Sequence, residues 1–515
     1  MQRTVVLNVV GLTEALIGEH TPAIAAFRDR GSLRHIDPSF PALTCTAQSN
    51  YVTGKTPAKH GIVANGWFNR ELSEVHFWKQ SNHVVTAPKL WDELRSFDPQ
   101  FTCATLFWWY NMYASVDYSI TPRPMYPADG RKFFDIYSWP ADIRPEIKKE
   151  LGEFPFAGFW GPAAGVKSPQ GEPDCVTRWI AESAKWTERK YQPTLSLVYL
   201  PHLDYNLQRH GTYRTTPDTG CRIPENSGSA PTSIGNQVSG IGNQVSGISH
   251  QSSAPGHPSL NPAIFPDLRA IDAIVGDLIQ FFEQCGVSVI LLSEYGITNV
   301  SQPIHLNRLF RERGWITVKE ELGLEILDAG NSQVFAVADH QVAHVYLNER
   351  IDPRIRHEVR ALLEGTDGIA RVLDGETKKA AGIDHERAGD FIAVAREDAW
   401  FTYYYWLSDK KAPDFARCVD IHRKPGYDPV ELFLDPRIPA PKLKIAWRLL
   451  QKKLGFRMLM DLIPLDASLV KGSHGCRPAS QADWPVMISA APKGGGAPMN
   501  SSEVYGAIKH VVLAA

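Results

Sequence analysis

Three short runs of this chain are almost wholly apolar: Val5-Val6-Leu7-Asn8-Val9-Val10, Leu195-Ser196-Leu197-Val198-Tyr199-Leu200 and Val287-Ser288-Val289-Ile290-Leu291-Leu292. A strand buried on one face alternates. A near-continuous run is buried on both faces, which requires a mostly parallel sheet covered by helices. Helical patterns separate the runs. Pro266 to Gln284 carries Leu268, Ile271, Ile274, Val275, Leu278 and Phe282 at helical spacing, and His20-Thr21-Pro22 opens another helix with proline near its first position. The expected fold class is α/β, a doubly wound sheet flanked by helices. Ligands in such sheets sit beyond the carboxyl ends of the strands.

The second constraint is the stretch from Pro38 to Asn65, which reads PSFPALTCTAQSNYVTGKTPAKHGIVAN. Its two leading prolines stop any preceding strand and fix an extended approach. Ala42 to Val52 can then be helical, with Gly54 and Pro57 ending it. Thr44 falls at or near that helix's N-terminus, where free N–H groups and the helix dipole favour an anion or an ionised hydroxyl. Thr44 is thus a candidate nucleophile with a phosphate as its natural ligand. The competing reading is that it only caps the helix.

Phe-Pro-x-x-Thr, then Val-Thr-Gly, then Pro-x-x-His-Gly-Ile-Val-x-Asn resembles the nucleophile segment of the nucleotide pyrophosphatase/phosphodiesterase family, within the alkaline phosphatase superfamily. The resemblance implies that Thr44 forms a phosphoryl-enzyme ester and that Asn65 holds a phosphoryl oxygen. It implies two divalent ions, which lower the pKa of the threonine hydroxyl and clamp the substrate. Carried over residue by residue, the ligand set is Asn8, Thr44, Asp204, Gln208, Glu294, Tyr295 and His474. Asp204, Thr44 and His474 match the family pattern. Gln208 and Tyr295 stand where histidines are expected, and Glu294 where an aspartate is. The first-strand aspartate is replaced by Asn8 on the distance to Thr44, or by Val10 on alignment to Gly11. So oxygen-rich a set suits Mg²⁺ or Mn²⁺ better than Zn²⁺. Cys45 stands where nucleotide-hydrolysing relatives carry a base-stacking aromatic, which weakens the case for a nucleotide.

The function this implies is metal-dependent hydrolysis of a phosphate ester, phosphodiester or pyrophosphate through a phosphothreonine on Thr44. The alternative is an impaired member that binds a phosphorylated ligand or a partner. Phosphoryl transfer within one substrate, as in mutases of the superfamily, suits the Thr44 context less well. The expected substrate is small and phosphorylated.

The 515 residues suffice for a single catalytic domain with a cap over 320–440. Residues 212–261 shift to Ser, Gly, Pro, Asn and Gln and repeat a heptapeptide at Ile234 and Ile241. Such a stretch cannot bury enough apolar area to order itself, and reads as a disordered insertion. A net charge of −2 argues against a nucleic-acid polymer as partner. No apolar run reaches the roughly 18 residues of a spanning helix. Seven cysteines without paired spacing, and no secretion signal before the first strand, suit the cytoplasm.

Four further segments carry expectations. Tyr118 to Phe159, rich in proline and aromatics, reads as irregular cap structure. Asp174 reads as the N-cap of a helix over Val176 to Lys185. Val334 to Leu347 is strand-like, and its Asp339, His340 and His344 read as core groups before reserve metal ligands. The basic amphipathic run Lys442 to Leu454 reads as a helix docked on the domain before one touching an anionic membrane.

Overall fold

The side-chain period of two along Thr4–Val9 decides which face of the sheet each residue serves. Val5, Leu7 and Val9 enter a core shared with Leu268, Ile271 and Val275 of the helix Phe265–Gln284. Val6 enters the opposite core, with Tyr51 and Val52 of the helix Thr44–Thr53 and Val504 and Ile508 of Val504–Leu513. Asn8, two residues after Val6, therefore faces the Thr44 helix. Val10 belongs to the apolar core on the other side. Of the two candidates on this strand, Asn8 is the one turned toward the Thr44 helix.

The computed structural model describes residues 1–125, 127–128, 133–165, 175–214, 258–490 and 496–514. Thr4–Val9 lies near the centre of a nine-stranded sheet. Parallel neighbours Ser288–Leu292 and Leu195–Leu200 flank it, and Cys103–Leu106 and Tyr118–Pro122 continue the parallel run outward. Ile136–Trp139 closes that edge antiparallel, and Val486–Ser489 and Ser32–Asp37 continue the other side. The stretch Tyr118 to Phe159 is therefore not an irregular cap. It holds two edge strands and the helix Ile143–Leu151. Its aromatics pack on the first core, where Phe107, Phe154 and Trp179 meet edge to face.

A second, four-stranded antiparallel sheet is built from Val334–Asp339, Val342–Leu347, Phe391–Ala395 and Ile369–Leu373. It has its own core, into which Trp400, Tyr403, Tyr405 and Trp406 are buried. The turn at the tip of its first hairpin, Asp339-His340-Gln341, reaches the segment that follows the short strand Gly472–Ser473. The N–H of Gln341 donates to the carbonyl of His474 at 2.9 Å.

Most of the 212–261 insertion lies outside the described residues, as does Asp174. The two described ends of the insertion pair with each other, Arg214 N–H to Ser259 O and Asn261 N–H to Thr212 O, both at 2.9 Å. Cys45, Cys103, Cys285, Cys418 and Cys476 are free thiols. No helix among the described residues is long and apolar enough to cross a membrane.

Burial fixes the charge state of two core histidines. The Nδ1 of His344 accepts from the Gly389 N–H at 3.1 Å and its Nε2 donates to Val63 O at 3.2 Å. Burial lowers its pKa from the usual 6.5 to about 4, and that of His60 to about 3. Below the ordinary value the unfolded chain binds a proton at each position that the native state refuses. Each contribution is therefore complete above pH 6.5 and lost as pH falls toward the folded pKa. The stability advantage of the wild type over His344→Gln should shrink on acidification, by about 1.4 kcal/mol per pH unit at the steepest. Chemical denaturation of the pair across that range checks it; a constant difference refutes it.

Candidate active site

The helix Thr44–Thr53 is capped by Leu43 in extended conformation, with no side-chain cap, and ends at Gly54 in the left-handed region. Thr44 is thus the first helical residue rather than its cap. All ten residues of the helix are buried, the polar ones included. Ser49 and Thr53 return their hydroxyls to carbonyls four residues earlier, at 2.7 and 2.6 Å. Thr44 does not: its Oγ lies 3.0 Å from the hydroxyl of Tyr295.

Tyr295 follows the strand Ser288–Leu292 and donates its only hydroxyl proton to Asp204 Oδ1 at 3.2 Å. With Asp204 ionised, that leaves Thr44 as the donor to Tyr295. Asp204 sits in the first turn of the helix His202–His210, just past Leu195–Leu200. One turn on, Gln208 donates Nε2–H to Asp204 Oδ2 at 2.8 Å and accepts from the Tyr427 hydroxyl at 2.8 Å. Both ends of Gln208 are engaged, so it is not free to serve as the ligand its position suggests.

Glu294 lies on the Asn8 side. Its Oε1 accepts from Asn8 Nδ2 at 2.5 Å and from Gln48 Nε2 at 2.6 Å. Gln48 is one turn after Thr44 on the same helix, and its Oε1 takes the Trp109 N–H at 2.7 Å. His474 follows the short strand Gly472–Ser473. Its ring stacks on Tyr295, centroids 3.6 Å apart and planes 7° from parallel. Its Nδ1 faces the Ala42 carbonyl at 2.8 Å and must carry the proton, which leaves the lone pair on Nε2, 3.8 Å from Asp204 Oδ1.

Asn65 joins the Thr44 helix to the second sheet. Its N–H and Nδ2 donate to Asp339 at 2.8 and 3.1 Å, and its Oδ1 accepts the Cys45 N–H at 3.0 Å. His340, at a left-handed φ of 59°, bonds Asp339 through Nδ1 at 2.8 Å and stacks on Tyr427. Of the sequence-derived residues, the structure gathers Asn8, Thr44, Asp204, Gln208, Glu294, Tyr295 and His474 into one network. Asn65 enters it through the first turn of the Thr44 helix.

Burial raises the pKa of Asp204 to about 7 against the pull of Tyr295 and Gln208, and that of Glu294 to about 8 against Gln48 and Asn8. Burial raises Asp339 likewise to about 7 and, with His340 adding to it, lowers His474 well below the usual histidine range. Among the described residues no lysine or arginine contributes to holding these three carboxyls. Three buried atoms here have no partner: Asn8 Oδ1, Glu294 Oε2 and His474 Nε2. All three are lone-pair donors, and His474 has the posture of a ligand whose other nitrogen is pinned by a carbonyl. These groups fit a divalent cation that prefers hard oxygen ligands. Among the described residues no cluster of three or more His, Cys, Asp or Glu forms a cage by itself, so amide and hydroxyl oxygens must complete the set.

A cavity of about 70 Å³ touches Thr44, Asp204, Tyr295, His340 and Tyr427. It shares Trp78, Trp109, Phe159, Trp160 and Ile421 with a larger cavity of about 520 Å³ outside it. His422 lines that outer cavity. Cys45 is fully buried beneath the site and lines neither cavity; Trp78 and Trp109, with rings 4.8 Å apart, supply the aromatic wall. Sequence reasoning missed Gln48 and Tyr427. The i,i+4 spacing from Thr44 marks Gln48; nothing local marks Tyr427.

The family model for type I phosphodiesterase / nucleotide pyrophosphatase matches residues 4–428. Among solved structures, an inactive murine ectonucleotide pyrophosphatase / phosphodiesterase 5 in complex with AMP is similar over 99% of this chain and 95% of that one, with TM-score 0.53 and 14% identity. Phosphonoacetate hydrolase from Sinorhizobium meliloti 1021 in complex with phosphonoformate is similar over 100% and 96%, with TM-score 0.55 and 14% identity. No curated protein sequence matches.

Proposed function

This chain belongs to the type I phosphodiesterase / nucleotide pyrophosphatase family, a family of hydrolases acting on phosphate esters, and from that premise we propose that it cleaves its ester through a covalent adduct on Thr44. The alkaline phosphatase-like sheet supports this reading, since ligands in such sheets sit beyond the carboxyl ends of the strands. The observation that carries the proposal is the directed chain Thr44 Oγ–H to Tyr295 O–H to Asp204.

Thr44 Oγ attacks phosphorus as its proton passes to the Tyr295 oxygen and the Tyr295 proton to Asp204. The bond to the leaving oxygen breaks, and that oxygen takes a proton from solvent and departs as the alcohol. Water then attacks the adduct and gives a proton to solvent, while the Asp204 proton returns through Tyr295 to Thr44 Oγ. The second Nδ2 proton of Asn65 and the first-turn N–H groups of the Thr44 helix other than that of Cys45 hold the non-bridging oxygens. Asp204 and His474 would hold one divalent ion and Asn8, Glu294 and Thr44 a second, with Mg²⁺ or Mn²⁺ the best match. A bound ion supplies positive charge that favours the ionised threonine and offsets the phosphoryl charge. The free thiols suit a reducing compartment such as the cytoplasm.

The test is to mix the protein, with Mg²⁺ or Mn²⁺, with an aryl phosphodiester, quench in acid and map the peptides by mass. A phosphoryl-alkyl increment on the peptide containing Thr44 is expected. Turnover without that increment, or with it on another residue, refutes the proposal.

A further inference from the structure

The outer cavity is mostly apolar. Phe134, Phe156, Phe159, Ile421, Leu449 and Met460 line it, and it shares the aromatic wall of the smaller cavity that touches Thr44. A small hydrophilic phosphoester has no use for such a space.

The helix Pro441–Lys453, which supplies Leu449 to this wall, buries none of its residues. It is held to the body by Lys444 and Arg448, which both reach Asp461 at 2.8 Å. The helix thus sits on the body as expected, through these polar contacts, and leaves most of its apolar side chains exposed. Leu443, Trp447, Leu450 and Leu454 recur at helical spacing along one stripe, and are 73, 56, 45 and 64% exposed. Phe456, 64% exposed, extends the stripe beyond the helix. A contiguous apolar surface of this kind marks a binding face. Its charge identifies what it faces: residues 436–460 contain seven lysines and arginines and no acidic residue.

We propose that this helix lies on an anionic lipid bilayer, and that the outer cavity receives the apolar chain of an amphiphilic phosphoester whose head group reaches Thr44. An interfacial helix combines this apolar stripe with flanking cations, each worth roughly 1 kcal/mol near an anionic surface. A second copy of the chain would bring like charges together across a two-fold interface. The head-group part rests on the reading of Thr44 given above; the bilayer contact does not.

The test has two arms. The full-length protein is floated with liposomes of phosphatidylcholine, with and without phosphatidylglycerol, at low and high salt. Binding to the anionic liposomes is expected, weakened by salt and lost by about tenfold or more in the triple variant Trp447→Glu, Leu450→Glu, Leu454→Glu. That variant should cleave a soluble aryl phosphodiester as the wild type does. Equal binding to neutral liposomes, or self-association without flotation, overturns the bilayer assignment. In the second arm, octylphosphonate should bind about tenfold or more tighter than ethylphosphonate by calorimetry, because the added methylenes leave water. Equal affinities overturn the cavity assignment. Thr44→Ala should float unchanged, so failure of the Thr44 chemistry leaves flotation and phosphonate binding to be read on their own.

Discussion

Thr44→Ala should lower turnover of an aryl phosphodiester roughly a thousandfold or more while leaving the fold intact, a loss of about 4 kcal/mol in the barrier-lowering. The two halves of that expectation have separate grounds. The activity loss follows because no other hydroxyl in the network combines a place in the first turn of a helix with a proton path to a buried carboxyl. The intact fold follows because Thr44 caps nothing: Leu43 is the cap and the first-turn N–H of Cys45 bonds Asn65. Its removal costs one hydrogen bond to Tyr295, about 1 kcal/mol, and Tyr295 keeps Asp204. Thr44→Ser should keep much of the activity. Steady-state rates and a thermal melt of both variants check this. An alanine variant within tenfold of the wild type would remove Thr44 from the chemistry.

The second large effect concerns stability. Lys424 is buried with its ammonium 2.6 Å from Asp428 and 2.7 Å from Glu431, both also buried. Glu431 further accepts from Trp160 Nε1 at 2.6 Å and the Asp420 N–H at 2.9 Å. Lys424→Met leaves two carboxylates in the interior without their cation, and should destabilise by roughly 3–5 kcal/mol. Removing the charges together, with Asp428→Asn and Glu431→Gln in the same chain, should recover a substantial part. Denaturant midpoints at neutral pH decide it. A single substitution costing under about 1 kcal/mol would mean that the carboxyls are already neutral or hydrated. The same lysine orders the segment that delivers Tyr427 to Gln208, so phosphodiester turnover should fall with stability in the single variant.

Much of this was written locally in the chain. Strands buried on both faces announce themselves as unbroken apolar runs, and the groups just past their ends, Asp204 and Glu294 with Tyr295, lie where an α/β sheet exposes its chemistry. The Thr44 helix was legible from its flanking prolines and Gly54. What was not legible depends on contacts far apart in sequence. The Tyr118 to Phe159 stretch carries weak strand signals, and only pairing to Cys103–Leu106 makes it sheet. Tyr427 and Asp339 gain their roles from segments more than two hundred residues away. The amphipathic pattern of Pro441–Lys453 shows that one face is apolar, but not whether protein covers it. Tyr295 looked like a lost histidine; its place between Thr44 and Asp204 gives it a different task.

The hairpin tip at Asp339 has one more consequence. Because it bonds the same Asn65 that bonds the first turn of the Thr44 helix, the small sheet is a structural component of the Thr44 network rather than an accessory over it. Excising the 320–440 region to obtain a minimal enzyme would yield a fragment with Thr44 unmoored, and grafting that region from a distant relative would shift the Thr44 helix along with it.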